Sequence, residues 1–138
     1  MKYPETFAYF YFRGFDCSPD KIGEVLSLNA SESWNVGDSW TIGDPNRKRK
    51  ESCWKFNATQ IIDGDFSSNV HMAYLLEILE QRESKLRDLP RGCGIGLTYV
   101  VTRYHNNIYI ELTPSMIQRA AALALRIDYD VYALGDAE

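Results

Sequence analysis

The chain has 138 residues, of which 45% are hydrophobic and 13% aromatic, a composition that excludes a disordered polymer and suits one domain with its own core. Its net charge of −4 argues against general nucleic-acid binding. No apolar run approaches the ~20 residues that span a membrane, so no membrane partner is expected.

Phe7–Arg13 reads as a strand that is apolar on both faces, with Phe7, Tyr9 and Tyr11 on one side and Ala8, Phe10 and Phe12 on the other. Gly14–Ser18 is a turn. A helix follows from Pro19 to about Ser27, capped by Ser18, with Ile22, Val25 and Leu26 on its buried face. Trp34–Ile42 is strand-like but bent at Gly37-Asp38, and Gly43-Asp44-Pro45-Asn46 has strong turn chemistry. The basic run Arg47-Lys48-Arg49-Lys50 comes next. In Ser52–Asn57, Trp54 and Phe56 point one way and Cys53 and Lys55 the other.

Ile61–Phe66 is a loop or very short strand. The longest helix starts at Ser67, Ser68 or Asn69 and runs to about Leu86. Its buried stripe is Met72, Leu75, Leu76, Leu79 and Leu86, its wet side carries Glu77, Glu80, Ser84 and Arg87, and Glu83–Arg87 makes an i,i+4 pair. Pro90-Arg91-Gly92 stops it. Ile95–Tyr104 is a long strand in which Tyr99 and Val101 suggest a second apolar face. His105-Asn106-Asn107 is a hairpin turn, and Tyr109–Leu112 returns antiparallel. Thr113 caps a helix over Pro114–Arg126 that is rich in alanine. Ile127–Leu134 is the last strand, followed by a short tail.

The order β-α-β-β-α-β-β-α-β, with no linker or low-complexity tract, predicts a single α+β domain over residues 1–138. Its sheet is mainly antiparallel with helices on one face, and a ferredoxin-like relationship fits.

Three stretches carry a family resemblance. One is the opening aromatic strand with Ser18-Pro19-Asp20-Lys21-Ile22, the leucine-bearing helix and Val36-Gly37-Asp38 downstream. Another is the long helix with Leu75-Leu76 and the trailing Leu86. The last is Ile108–Leu112, Thr113-Pro114, the alanine-rich helix and Asp128-Tyr129-Asp130-Val131-Tyr132. The chain resembles a mainly bacterial family, the domain of unknown function numbered 4279. It departs from that pattern at Leu28-Asn29-Ala30-Ser31, where a proline is expected. The resemblance implies no catalytic motif, so no site residue carries over. It also implies a link to immunity partners encoded beside toxins, because some members look like such proteins.

Candidate chemistry is sparse. The soft ligands Cys17, Cys53, Cys93, His71 and His105 show no zinc-site spacing, so no metal and no cofactor are expected. The three cysteines also give no disulfide framework, which favours a reducing cytoplasm, and Met1–Glu5 has no apolar stretch of a secretory leader. Cys17 precedes a helix N-terminus, where the dipole favours a thiolate, but His71 and His105 fall at positions that usually face solvent. Gly92-Cys93-Gly94-Ile95-Gly96 follows a helix and precedes a strand, the reverse of a phosphate loop. Asp63-Gly64-Asp65 lacks the rest of a calcium loop. Asp128 and Asp130 share one side of the last strand, about 7 Å apart by strand rise, as a carboxylate pair or a solvated face.

Two features exceed what a bare fold needs. The cations Arg47, Lys48, Arg49 and Lys50 form either a partner contact or a solvated hairpin tip. The face bearing Tyr9 and Tyr11 meets either a covering loop or a partner. The expected function is therefore a non-catalytic protein-binding module. Its most concrete form is an immunity protein that neutralises a bacterial toxin, with Arg47, Lys48, Arg49, Lys50, Tyr9 and Tyr11 as candidate contacts. Two other classes stand beside it: a small enzyme using Cys17 or the Asp128/Asp130 pair, and a homo-oligomer joined through the aromatic sheet face.

Overall fold

The computed structural model describes residues 6–58, 68–90, 92–103 and 110–133. In chain order these form β1 (Thr6–Arg13), α1 (Pro19–Leu26), β2 (Glu32–Trp34), β3 (Cys53–Asn57), α2 (Ser68–Glu80), α3 (Glu83–Leu86), β4 (Gly94–Arg103), α4 (Pro114–Ala122) and β5 (Arg126–Ala133). The sheet order is β2-β3-β1-β4-β5, and every pairing is antiparallel except β4 with β5. The first four strands thus follow the split β-α-β arrangement of ferredoxin-like folds. The parallel β5 is added outside β4, and α4 lies on the long connection that parallel neighbours require.

Both proline-led helices start as their sequences dictate. Ser18 Oγ accepts from the Asp20 N–H at 3.3 Å, and Thr113 Oγ1 accepts from the Met116 N–H at 3.2 Å. α1 ends at Ser27, whose φ of 57° closes the helix in the left-handed conformation.

One cluster forms the core. Ala8, Phe10 and Phe12 of β1, Trp54 and Phe56 of β3, and Leu97, Tyr99 and Val101 of β4 meet Ile22 and Leu26 of α1, the Met72–Leu79 stripe of α2, and Met116 and Ala120 of α4. Phe10 stacks on Trp54 and Phe56 at 6.0 and 5.3 Å between ring centroids. The helices therefore cover the sheet face that carries the even-numbered residues of β1.

Several expected boundaries move. Only Glu32–Trp34 joins the sheet. Asp38 Oδ2 accepts from the Asn35 N–H at 2.8 Å and Gly37 takes φ 89°, so the chain turns out of the sheet before Ile42. The long helix breaks after Glu80 although no proline or glycine is present. Arg82 bends back instead, and its Nη1 donates to the Ile78 carbonyl while its Nε donates to the Leu26 carbonyl. α4 stops at Ala122, and Ala124, with φ 56°, turns the chain into β5. Tyr99 and Val101 both face the helices, so the other side of β4 consists of Gly94, Gly96, Thr98 and Val100. Residues 110–112 are not in a strand. The Ile61–Phe66 segment, the 105–107 turn and the chain after Ala133 lie outside the described residues.

Candidate partner-binding face

Among the described residues one face of the sheet carries no helix, and strand register assembles this helix-free face. Tyr11 stands between Lys55 and Gly96, Arg13 between Cys53 and Gly94, and Tyr9 between Asn57 and Thr98. Glu32 and Trp34 extend these rows at one edge, and Arg126, Asp128 and Asp130 extend them at the other. The alternation expected for Phe7, Tyr9 and Tyr11 holds, but the two tyrosines differ in role. Tyr9 is half-buried and borders the groove described below, while Tyr11 is only 2% exposed.

Tyr11 lies across β4 and donates its hydroxyl to Asp128 Oδ2 at 2.6 Å, two strands away. It can do so because β4 carries glycine where the ring passes: a Cβ at Gly96 would collide with the Tyr11 hydroxyl. Burial, then the hydrogen bond to Asp128, pushes the Tyr11 phenol up to about 12. Arg126 Nε donates to the other Asp128 oxygen at 3.1 Å, and the Tyr132 hydroxyl donates to Asp130 at 3.0 Å. The two aspartates share a face, as their spacing requires, but each is held by its own tyrosine.

At the β2 edge, residues 37–49 fold into a narrow ribbon. The Gly37 N–H donates to the Arg49 carbonyl at 2.8 Å and the Trp40 N–H to the Arg47 carbonyl at 3.0 Å, around a bridge between Ser39 and Lys48. Alternation along the ribbon splits the basic run. Lys48 donates to Ser39 Oγ at 2.8 Å on one side. Arg47 and Arg49 turn to the tryptophans: the Arg49 guanidinium carbon lies 3.6 Å from the Trp34 ring centroid and 3.8 Å from that of Trp40, and that of Arg47 lies 4.3 Å from Trp40. Lys55 Nζ continues the series at 5.2 Å from Trp34 and 4.7 Å from Tyr9. Aromatic rings and cations thus alternate from the sheet to the ribbon, each contact being worth about 0.5–2 kcal/mol depending on its desolvation. The Trp34 indole N–H also donates to the Glu51 carbonyl at 3.0 Å and pins the ribbon's base. The run is therefore not uniformly solvated: Arg47 and Arg49 lie against the tryptophans and hold the ribbon, while Lys48 and Lys50 are exposed and line the groove beside it.

Between ribbon and sheet runs a groove of about 570 Å³. Six basic side chains line it, from Arg13, Lys55 and the 47–50 run, against the three carboxylates Glu32, Glu51 and Asp130. Its rim carries Ile42, 84% exposed at the ribbon tip. A second hollow lined by Phe7, Val100 and Tyr132 shares Tyr9, Glu32, Lys55 and Asp130 with it and extends the trough toward β5.

The other candidates sit elsewhere. All three cysteines are free. Cys17 and Cys93 pack against the helix-side core, and burial, with Cys17 nearby, pushes the Cys93 thiol up to about 11. Cys53 lies on the helix-free face, also raised by burial. His71 is 1% exposed in α2, not solvent-facing, because its helix position turns inward; His105 lies outside the described residues. Among the described residues no group of three or more His, Cys, Asp or Glu side chains is placed to hold a metal ion, and no helix is long and apolar enough to cross a membrane.

The fold and face define an α+β domain with one helix-covered and one open sheet surface. The chain belongs to the family described as a domain of unknown function, DUF4279, which it matches over residues 4–134. No curated protein and no solved structure matches it.

Proposed function

We propose that the protein is a non-catalytic protein-binding module that docks its partner on the helix-free face, in the trough between the sheet and the 37–49 ribbon. The observation that carries this reading is the groove itself: stacked aromatic and arginine side chains beside an exposed isoleucine, on a sheet surface that no described helix covers. Aromatic and arginine anchors beside apolar contacts are what stable protein interfaces use most. The most concrete version is an immunity protein that blocks a bacterial toxin in the cytoplasm. The test is co-expression with the products of adjacent reading frames. One of them should be toxic alone, be neutralised by this chain and co-purify with it, and the paired change Tyr9→Ala with Ile42→Asp should abolish the complex. A complex indifferent to that pair rules out this face, and no complex with any neighbour removes the immunity reading.

A second reading, self-association, rests on β5, which ends the sheet with Tyr129, Val131 and Tyr132 all exposed. A dimeric mass in solution that reverts to monomer with Val131→Lys supports it; a monomer at high concentration rejects it.

A further inference from the structure

We infer that the groove receives an extended segment of the partner that bears several Asp or Glu carboxylates, bound along its ribbon side. This rests on the binding-module reading and adds the chemistry of the partner. The chain as a whole carries −4, yet basic side chains outnumber acidic ones two to one in this groove. Positive charge is therefore concentrated where the surface is concave, which raises the local attraction for anions.

The stacking also prepares these cations for carboxylates. A guanidinium lying on an indole is held flat by its face, while its in-plane N–H groups stay available for a two-pronged bond to a carboxylate. The Arg47 guanidinium carbon lies over the Trp40 ring, 4.3 Å from its centroid, and the residue remains exposed. The seam behind it is rich in donors: Trp40 Nε1 and Arg49 Nε are buried with no acceptor among the described residues. Lys50 and Lys48 add exposed ammonium groups beside it.

The distribution of acidic residues selects a peptide over a nucleic acid. Of the three carboxylates, Glu32 and Asp130 line the sheet side of the groove, and Glu51 follows Lys50 at the base of the ribbon. A peptide can set its carboxylates against the ribbon cations and place neutral or basic residues over Glu32, Glu51 and Asp130. A nucleic-acid strand carries a charge at every step and cannot avoid them. Exposed Ile42 offers an apolar contact next to the cations, which a mixed acidic and apolar segment uses and a phosphate backbone does not.

The experiment uses the full chain and three probes: a fluorescein-labelled peptide of alternating glutamate, leucine and alanine, its glutamine counterpart, and an oligothymidylate of matching length. Anisotropy should show the glutamate peptide binding, weakening as salt rises, with the glutamine peptide at least tenfold weaker. The Arg47→Gln, Lys50→Gln double variant leaves the Arg49 stack in place. It should weaken glutamate-peptide binding about tenfold, the loss expected for charge-assisted hydrogen bonds, and flatten the salt dependence. Lys21→Gln on α1, away from the groove, should change nothing. Equal binding of the two peptides, an unaffected double variant, or tighter binding of the oligothymidylate each overturns the inference. If no probe binds but the Tyr9 and Ile42 changes still abolish a neighbour complex, the binding module stands and only its acidic partner falls.

Discussion

Gly96, Tyr11 and Asp128 form a three-strand clasp in which each residue makes sense only through the others. The glycine leaves room, the phenol crosses β4, and the carboxylate on β5 receives it. Gly96→Ala forces the ring aside and should destabilise the protein by about 1–3 kcal/mol, the usual range for overpacking. In a Tyr11→Ala background most of that cost should vanish, and a thermal-denaturation double-mutant cycle measures the coupling. The same clasp has a pH signature. The folded state holds the Tyr11 phenol at about 12 against an ordinary 10, so it favours the protonated form. Its contribution is complete below pH 10 and is lost as pH rises toward 12. Absorbance titration should show one tyrosine ionising last. Asp128→Asn should lower that value without restoring 10, because burial is the larger cause. Little of this was legible beforehand. Strand alternation put Tyr11 and Asp128 on defined faces, but their meeting depends on β4 lying between β1 and β5, and strand order is not written in local pattern.

At the scale of elements, capping chemistry was readable and tertiary punctuation was not. Ser18-Pro19 and Thr113-Pro114 start helices because the signal lies within four residues. Thr113→Ala should cost about 1 kcal/mol in chemical denaturation, and a loss near zero would mean that another group caps α4. The break after Glu80 was invisible because Arg82 makes it by reaching the Leu26 carbonyl of another helix. Glu80 looked like a solvated residue, yet it takes both Nε and Nη2 of Arg119 at 2.9 and 2.8 Å and ties α2 to α4. The 47–50 run shows the same limit of local pattern. As a solvated tip its four cations would be interchangeable. As one strand of a ribbon they alternate, and Trp40 two residues beyond Asp38 was the available clue that one side of the run would find aromatic partners. Arg49→Gln should therefore loosen the ribbon and shift tryptophan fluorescence, at a local cost of about 1–2 kcal/mol, while Lys48→Gln and Lys50→Gln stay within about 0.5 kcal/mol. Equal effects at these three positions would mean that stacking does not hold the ribbon.

For the whole molecule, the decisive division is between the two sides of one sheet. The helix side was legible because its residues obey two periodicities at once: alternation in β1, β3 and β4, and the helical stripes of α1 and α2, which together define one core. The open side has no such double constraint, so its groove had to be seen. The topology also implies a gradient of stability across the strands. β1 and β4 are flanked on both sides, β1 by β3 and β4, and β4 by β1 and β5, whereas β2 and β5 each have one described neighbour. β2 is only three residues long, with Glu32 and Ser33 exposed and Trp34 half-buried, and β5 exposes Tyr129, Val131 and Tyr132. Local opening free energies follow such burial. Native-state hydrogen exchange should thus find the slowest amides in β1 and β4, faster ones in β5, and the fastest among the strands in β2. The experiment also probes function. A partner lying in the trough should slow exchange in the 37–49 ribbon and β2 more than in β1, because amides already at the global limit gain only from added total stability. Protection of β5 alone on adding the partner would instead move the interface to the sheet edge and favour strand pairing over groove binding.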